Sequence, residues 1–351
     1  MKLVARYIAR LMLVRIVAVV LVLTALLQIM DLIDNVDEVL DRRDSIADIV
    51  VYAGYRLPTI VETTIPIAVL LGTIAAFLAL AGRSELDALR SGGISQTRVV
   101  LLCLPVCLLF VGVHFLLVDR VVPASQQAFT QWWDGPINSG DAVWLRDDAS
   151  FVSVTEATPS GRHLEGVTIY RRDGAGDLVA RIEAATADYD DGVWTLGGVE
   201  EQRFEAGAGT EVRRHDTLAW PDGPAPHAIG ILQQPPERLS ADLMTGLLSG
   251  AWTGATETAS YRTELANRYA APLASLVMLL LASPAMRRQG RSSAALIGGL
   301  TGLALGLGFV VVGGILTALG RAGILAPEPA AWLPVAAFAI TGLVLLRRSE
   351  T

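Results

Sequence analysis

Cys103 and Cys107 stand four residues apart, so on a helix their thiols share one face, where they could hold a metal or form a redox pair. No histidine, aspartate or third cysteine stands at ligand spacing beside them. The plainer reading is two small apolar side chains in a helix interface. The four histidines, His114, His163, His215 and His227, are scattered, and none begins an H-E-x-x-H; G-x-S-x-G and C-x-x-C are absent. Of the 28 basic residues only Lys2 is a lysine. A Walker A loop needs a lysine for the β/γ-phosphates, and Schiff-base chemistry needs a lysine amine; neither can be built on a lone lysine at the second position. Nothing assembles a nucleophile, a base and an oxyanion hole. The chain reads as a conduit or anchor rather than a catalyst, and any ATP it depends on is hydrolysed by another chain.

Three features remain. Arg15 and Glu62 lie inside apolar runs, where a charge is a functional candidate, although both are within about two turns of a span's end and can snorkel to the interface. Gly298, Gly302 and Gly306 recur at spacing four, with Gly308, Gly313 and Gly314 beyond. They form one face on which another helix can approach closely, or a seam that opens and shuts. The third is the stretch from Gly82 to Gly93. Ser84 suits an N-cap, Glu85 and Asp87 suit a first turn, and Arg90 followed by Gly92 suits a helix end. It predicts a short helix along the membrane face, with Leu86 and Leu89 on one side. Such a helix is what an exporter fits into a groove on an ATPase, although many loops contain a helical turn.

The elements that must carry these residues follow from composition. The 351-residue chain is 52% hydrophobic and 18% charged, with a mean hydropathy of +0.47, against roughly 25% charge for a soluble domain. Residues 119–264 hold 11 arginines against 23 acidic residues, a net of −12, while the remainder is net +5. An acidic, polar middle between apolar, mildly basic ends excludes a simple globular enzyme and a nucleic-acid binder. A spanning helix needs about 20 apolar residues. Six stretches qualify or come close, at about 11–30, 57–81, 99–118, 265–284, 294–320 and 330–346. The first is too long for a signal-peptide core and is followed by no small-x-small site. With both termini inside, twelve basic residues face the cytoplasm (Lys2 to Arg15, Arg83, Arg90, Arg98, Arg287, Arg288, Arg291, Arg347 and Arg348). Only Arg42, Arg43, Arg56 and Arg321 fall in outer short loops, so the acidic middle lies outside.

Between about 140 and 220 the apolar runs give way to short alternating segments rich in Val, Ile, Thr and aromatics, separated by turn signals such as Pro159-Ser160-Gly161 and Asp191-Gly192. Six or more strands at this spacing predict an antiparallel sandwich, jelly roll or barrel. It holds no cysteine, although an outer compartment permits disulfides. A Pro-rich stretch at 221–236 ends it, and Ser240 can cap a short helix over 241–249.

Arg6-Tyr7-Ile8, Leu57-Pro58, Ile65-Pro66, Leu70-Leu71-Gly72, Arg83-Ser84-Glu85-Leu86 and Ser91-Gly92-Gly93, in a frame of three spans, outer β domain and three spans, resemble the LptF/LptG permeases of the lipopolysaccharide exporter. The R-S-E-L followed by S-G, with Tyr261 and Pro272-Leu273, looks more like the LptG side than the LptF side. The resemblance implies a membrane α-helical fold, 3 + 3, with an inserted periplasmic jelly-roll-like β domain. The division is 1–118, 119–264 and 265–351, in the inner membrane with both termini cytoplasmic. It implies a heterodimer with an LptF-like paralogue around a cavity open to the outer leaflet, an LptB-like ATPase dimer, a single-span LptC-like protein and an LptA-like bridge. No cofactor is bound by this chain; ATP and Mg are used by the ATPase partner. By the same resemblance the ATPase docks on a coupling helix at about 84–91 (Arg83, Ser84, Glu85, Leu86, Leu89 and Arg90), with Glu85 the residue carried over. The cavity and gate candidates are Leu27, Met30, Asp31, Asp34, Arg42, Arg43, Gly298, Gly302, Gly306 and Phe309.

The chain departs from the family where LptG-type chains often carry lysines, at the outer end of the first span. Residues 31–38 are acidic here, and lipid A phosphates would be repelled unless a divalent cation bridges them. Arg42 and Arg43, or basic residues of the paralogue, are then expected to meet the phosphates. Two other classes compete with a transport subunit. One is a membrane-anchored scaffold that binds partners by edge-strand addition; the other is a lipid-acting enzyme, which the absent catalytic constellation disfavours.

Overall fold

A computed structural model describes residues 2–42, 45–134, 143–146, 149–158, 161–190, 192–205, 209–226, 229, 236, 239–249, 253–254, 258–286 and 293–348. Two compact units emerge, one of residues 1–126 and 262–351, the other of 127–261.

The first unit carries the spans. α1 (Lys2–Arg42) and α2 (Ile46–Gly82) are joined by a short turn in which Ser45 Oγ accepts from Ala47 N at 3.2 Å. The short helix α3 (Glu85–Ser91) leads to α4 (Gln96–Leu116), whose first turn is capped by Ser95 Oγ accepting from Arg98 N at 3.2 Å. A π turn (Leu117–Val121) passes without a break into α5 (Val122–Asp134). Among the described residues six helical stretches are long and apolar enough to cross a membrane, including 258–286, 295–321 and 327–348 at the C-terminal side. The stretches read from hydropathy lie inside longer helices. The acidic segment 31–41 is helical and continues the first span, so Arg42 and Arg56, expected in loops, sit on helical extensions. Charged side chains end an apolar run without ending a helix, because exposed helix ends tolerate them well.

Ile8, Met12 and Ile16 repeat every four residues and are fully buried against a core that includes Val69, Leu70 and Phe77 of α2. Helices can approach this closely because Gly72 lacks a side chain; a Cβ there would stand 2.7 Å from the Ile16 Cα. Cys103 and Cys107 are both buried in the same core. Among the described residues no group of three metal-ligating side chains comes together.

The second unit is built on seven strands: β1 (Val143–Arg146), β2 (Ser150–Ala157), β3 (His163–Arg172), β4 (Leu178–Asp190), β5 (Val193–Glu205), β6 (Gly209–Trp220) and β7 (Thr253–Gly254). The order is β6-β5-β4-β3-β2-β1-β7, and every described pairing is antiparallel. The first six strands therefore form a meander of successive neighbours. Period-two alternation sets the buried face: the register Leu145–Val152–Ile169–Ile182 runs a row of buried aliphatics across four strands. Between β6 and β7, α6 (Ala241–Ser249) starts where Ser240 predicts it, with Leu243 N donating to Ser240 Oγ at 3.4 Å.

Where β3 begins opposite the last turn-side residues of β4, His163 Nδ1 and Asp188 Oδ1 are 2.6 Å apart, with Glu165 3.7 Å from Nε2. The hydrogen bond to Asp188 raises the His163 pKa above its ordinary 6.5. A raised folded value means that the pair's contribution is complete below about pH 6.5 and disappears as pH climbs through the raised value. Solvent screening holds it below about 1 kcal/mol. NMR titration of Asp188→Asn is expected to return the His163 midpoint downward; an unchanged midpoint would rule the pair out as its cause.

Candidate functional site

Two places in the spanning unit bring polar residues together. The first is α3. The chain turns back between Gly82 and Glu85 in two residues, which forces Ser84 into the left-handed region at φ 55°. In that conformation its side chain makes no capping bond, so the helix begins at Glu85 without the hydroxyl cap that the sequence predicts. Side-chain ties hold the helix start instead. Tyr7 Oη donates to Glu85 Oε2 at 2.9 Å and to Oε1 at 3.2 Å, and Arg83 Nη1 is 3.9 Å from Oε1. At the other end Arg90 Nη2 donates to the Met286 carbonyl at 2.8 Å, with Asp87 3.7 Å from its Nη1. Leu86 is buried and Leu89 packs against the same core. The helix is thereby seated by two apolar side chains, Leu86 and Leu89, and by polar ties at both ends.

The second place is a cavity of 790 Å³ walled by α2, α4, the fourth span with its segments α7 (Thr258–Ala270) and α8 (Ala274–Leu281), the fifth span α9 (Ser293–Arg321) and the sixth α10 (Pro327–Arg348). Its polar wall holds Glu62, His114, Asn267, Thr317 and Arg321, and its apolar wall Pro66, Ile67, Ala274, Phe309, Val310 and Val335. His114 Nε2 stands 3.4 Å from Glu62 Oε1, while its buried Nδ1 has no hydrogen-bond partner among the described residues. Pro66 has no N–H to give the Glu62 carbonyl. Arg321 Nη2 meets Glu264 Oε2 at 2.6 Å, and Arg268, only 1% exposed, lies with Nη1 3.8 Å from Asp119 of the π turn. Arg15, the other charge inside an apolar run, donates from Nη1 to the Ala75 carbonyl.

The other residues singled out from sequence are dispersed. Leu27 and Met30 are exposed on α1. Asp31 is held by Arg56, Nη2 to Oδ1 at 2.6 Å, so part of the acidic stretch is neutralised from the second span. Asp34 is exposed, and Arg42 pairs with Glu38 at 3.0 Å. Arg43 lies outside the described residues. Gly298 and Gly302 face the end of the fourth span, against the carbonyls of Pro284 and Leu281, and Gly306 faces Leu70 and Met278. Phe309 is buried edge-on against Phe338, 5.6 Å between centroids, and lines the cavity. Sequence reasoning singled out Glu62 without its partner His114 and Glu85 without its partner Tyr7; each pairing joins residues far apart in the chain, and no local spacing signals it.

These observations define a class: a six-span helical membrane protein with an antiparallel β domain inserted between its third and fourth spans and a short helix between its second and third. The family model for the lipopolysaccharide export system permease LptF/LptG matches residues 6–348, and the chain belongs to that family. It is 24% identical over 307 residues to the lipopolysaccharide export system permease protein LptG of Escherichia coli K12, covering 85% of both chains. Over 275 residues it is 26% identical to the LptG of Haemophilus influenzae Rd, covering 76% of both.

Proposed function

We propose that this chain is the LptG-type membrane subunit of an exporter that takes lipopolysaccharide from the outer leaflet of the inner membrane, driven by ATP hydrolysis in a separate LptB-like dimer. The observation that carries the reading is α3: a seated helix between two spans whose Glu85 is held at the surface by polar ties rather than buried. The lone lysine supports it by sending nucleotide chemistry, with ATP and Mg, to a partner; this chain binds no cofactor and is not itself an enzyme. Arginine bias supports both termini inside and the β domain in the periplasm. The LptG relatives favour that paralogue over LptF, with an LptF-like chain completing the heterodimer, an LptC-like protein beside it and an LptA-like bridge receiving the lipid.

The chain purified with its genomic neighbours is expected to carry a soluble ATPase and bound lipopolysaccharide. Removing residues 84–91, or replacing Glu85 by Ala, is expected to lower the associated ATPase rate at least about tenfold, the scale for losing a buried charged contact at an interface. A complex whose ATPase is indifferent to both changes would favour a scaffold instead.

A further inference from the structure

The loop between the second and third spans ties α3 covalently to those two spans alone. Hydrogen bonds extend the tie to two more. At its N-terminal end Glu85 receives the Tyr7 hydroxyl of α1, at 2.9 and 3.2 Å to its two oxygens. At its C-terminal end Arg90 reaches the carbonyl of Met286, the last described residue of the 3-10 turn Ser283–Met286 that closes the fourth span. Gln96, the first residue of α4, donates to that same carbonyl at 3.3 Å and is 5% exposed. One carbonyl therefore gathers the end of the fourth span, the end of α3 and the start of the third span.

The two ends differ in kind. Around Met286 the donors are partly or wholly buried, so water does not replace them cheaply. At Glu85 the carboxylate is one-third exposed and Tyr7 is 42% exposed, so this bond can be broken and remade during a cycle. It also links α1 directly to α3, and it is charge-assisted. Next to Tyr7, Ile8 begins the buried row with Met12 and Ile16, so force on the second turn of α1 passes straight into packed side chains.

We propose that Tyr7 is a positioning residue of the transport step: its hydroxyl fixes the Glu85 carboxylate and yokes the first span to α3, so that a displacement of α3 is delivered to α1. Arg90 and Gln96 deliver the same displacement to the end of the fourth span. The inference rests on the proposed role of α3 as the docking element, and it adds the route by which docking is felt in spans that α3 does not adjoin in sequence.

Tyr7→Phe removes one oxygen and keeps the ring. The test uses the full complex in proteoliposomes, with lipopolysaccharide as the probe, and reads ATP hydrolysed and lipid released in parallel. Tyr7→Phe is expected to assemble normally and to hydrolyse ATP within about twofold of the parent rate, while lipid released per ATP falls roughly fivefold, the scale of a partly exposed hydrogen bond to a charged group. In a Glu85→Ala background the same change is expected to add nothing, because the partner is already gone. An unchanged lipid-to-ATP ratio would overturn this role and leave the proposed function standing. So would a full additional loss in the Glu85→Ala background, or a loss of assembly and ATPase together, since the residue would then act elsewhere or serve folding alone. A parent complex that recruits no ATPase would overturn both readings.

Discussion

Gly302→Val is expected to cost about 3 kcal/mol or more and to unseat the fifth span from the fourth. A Cβ at Gly302 would fall 2.6 Å from the carbonyl oxygen of Leu281, the last residue of α8, and that oxygen is backbone with no rotamer to escape into. Gly298 meets the Pro284 carbonyl in the same way, so the two positions form a closed pair of backbone contacts. Gly306 differs, because its neighbours are the side chains of Leu70 and Met278, which can give, and an alanine there is expected to be milder. Gly313, on the same helix and lining the cavity, has nothing within 4 Å; Gly313→Ala is expected to hold or raise stability by up to about 1 kcal/mol through helix propensity. Thermal unfolding in detergent separates these cases. A Gly302→Val protein that melts with the parent would show that the fourth and fifth spans do not meet through Gly302.

The β domain offers the second large effect. Trp194→Ala is expected to destabilise that domain by about 3–5 kcal/mol. The indole is 1% exposed, its Nε1 donates to the Pro224 carbonyl at 2.7 Å, and its ring lies 5.2 Å from Tyr189 and 6.1 Å from Trp220. Truncation opens a cavity beside the Tyr189 and Trp220 rings and leaves a buried carbonyl without its donor. Trp194→Phe fills much of the space yet still loses the N–H, and about 1–2 kcal/mol is expected. Limited proteolysis against temperature reads the domain directly. If Trp194→Ala and the parent became cleavable at the same temperature, the tryptophan would not be the keystone of this core.

Much of the frame was legible in the sequence because it rests on local periodicity. Apolar runs marked the six spans, alternation marked the strands, and Ser240 marked the start of α6, which its hydroxyl does cap. The short helix after Gly82 was legible too, but its cap was not: a serine's identity promises a hydroxyl, and only the backbone turn decides where that hydroxyl points. The remainder depends on contacts that no spacing encodes. Asp31 meets Arg56 across 25 residues, Glu62 meets His114 across 52, Tyr7 meets Glu85 across 78, and Arg90 meets Met286 across 196. The acidic stretch illustrates the difference. Composition shows only a surplus of negative charge at 31–38, whereas the fold brings an arginine from the next helix onto its first carboxylate.

The π turn at Leu117–Val121 has a bearing on how the third span is read. A π turn takes one residue more than its α-helical counterpart, so the angular bookkeeping of the helix slips there by about 100°. A helical wheel drawn from Gln96 is in phase up to Leu116 and out of phase afterwards. Ser125 and Gln126, which reach the Tyr55 carbonyl at 2.8 Å and the Thr59 hydroxyl at 3.2 Å, owe their aim to that slip. One continuous rod thus presents two differently oriented faces, as a screw does when its thread is restarted partway along the shaft.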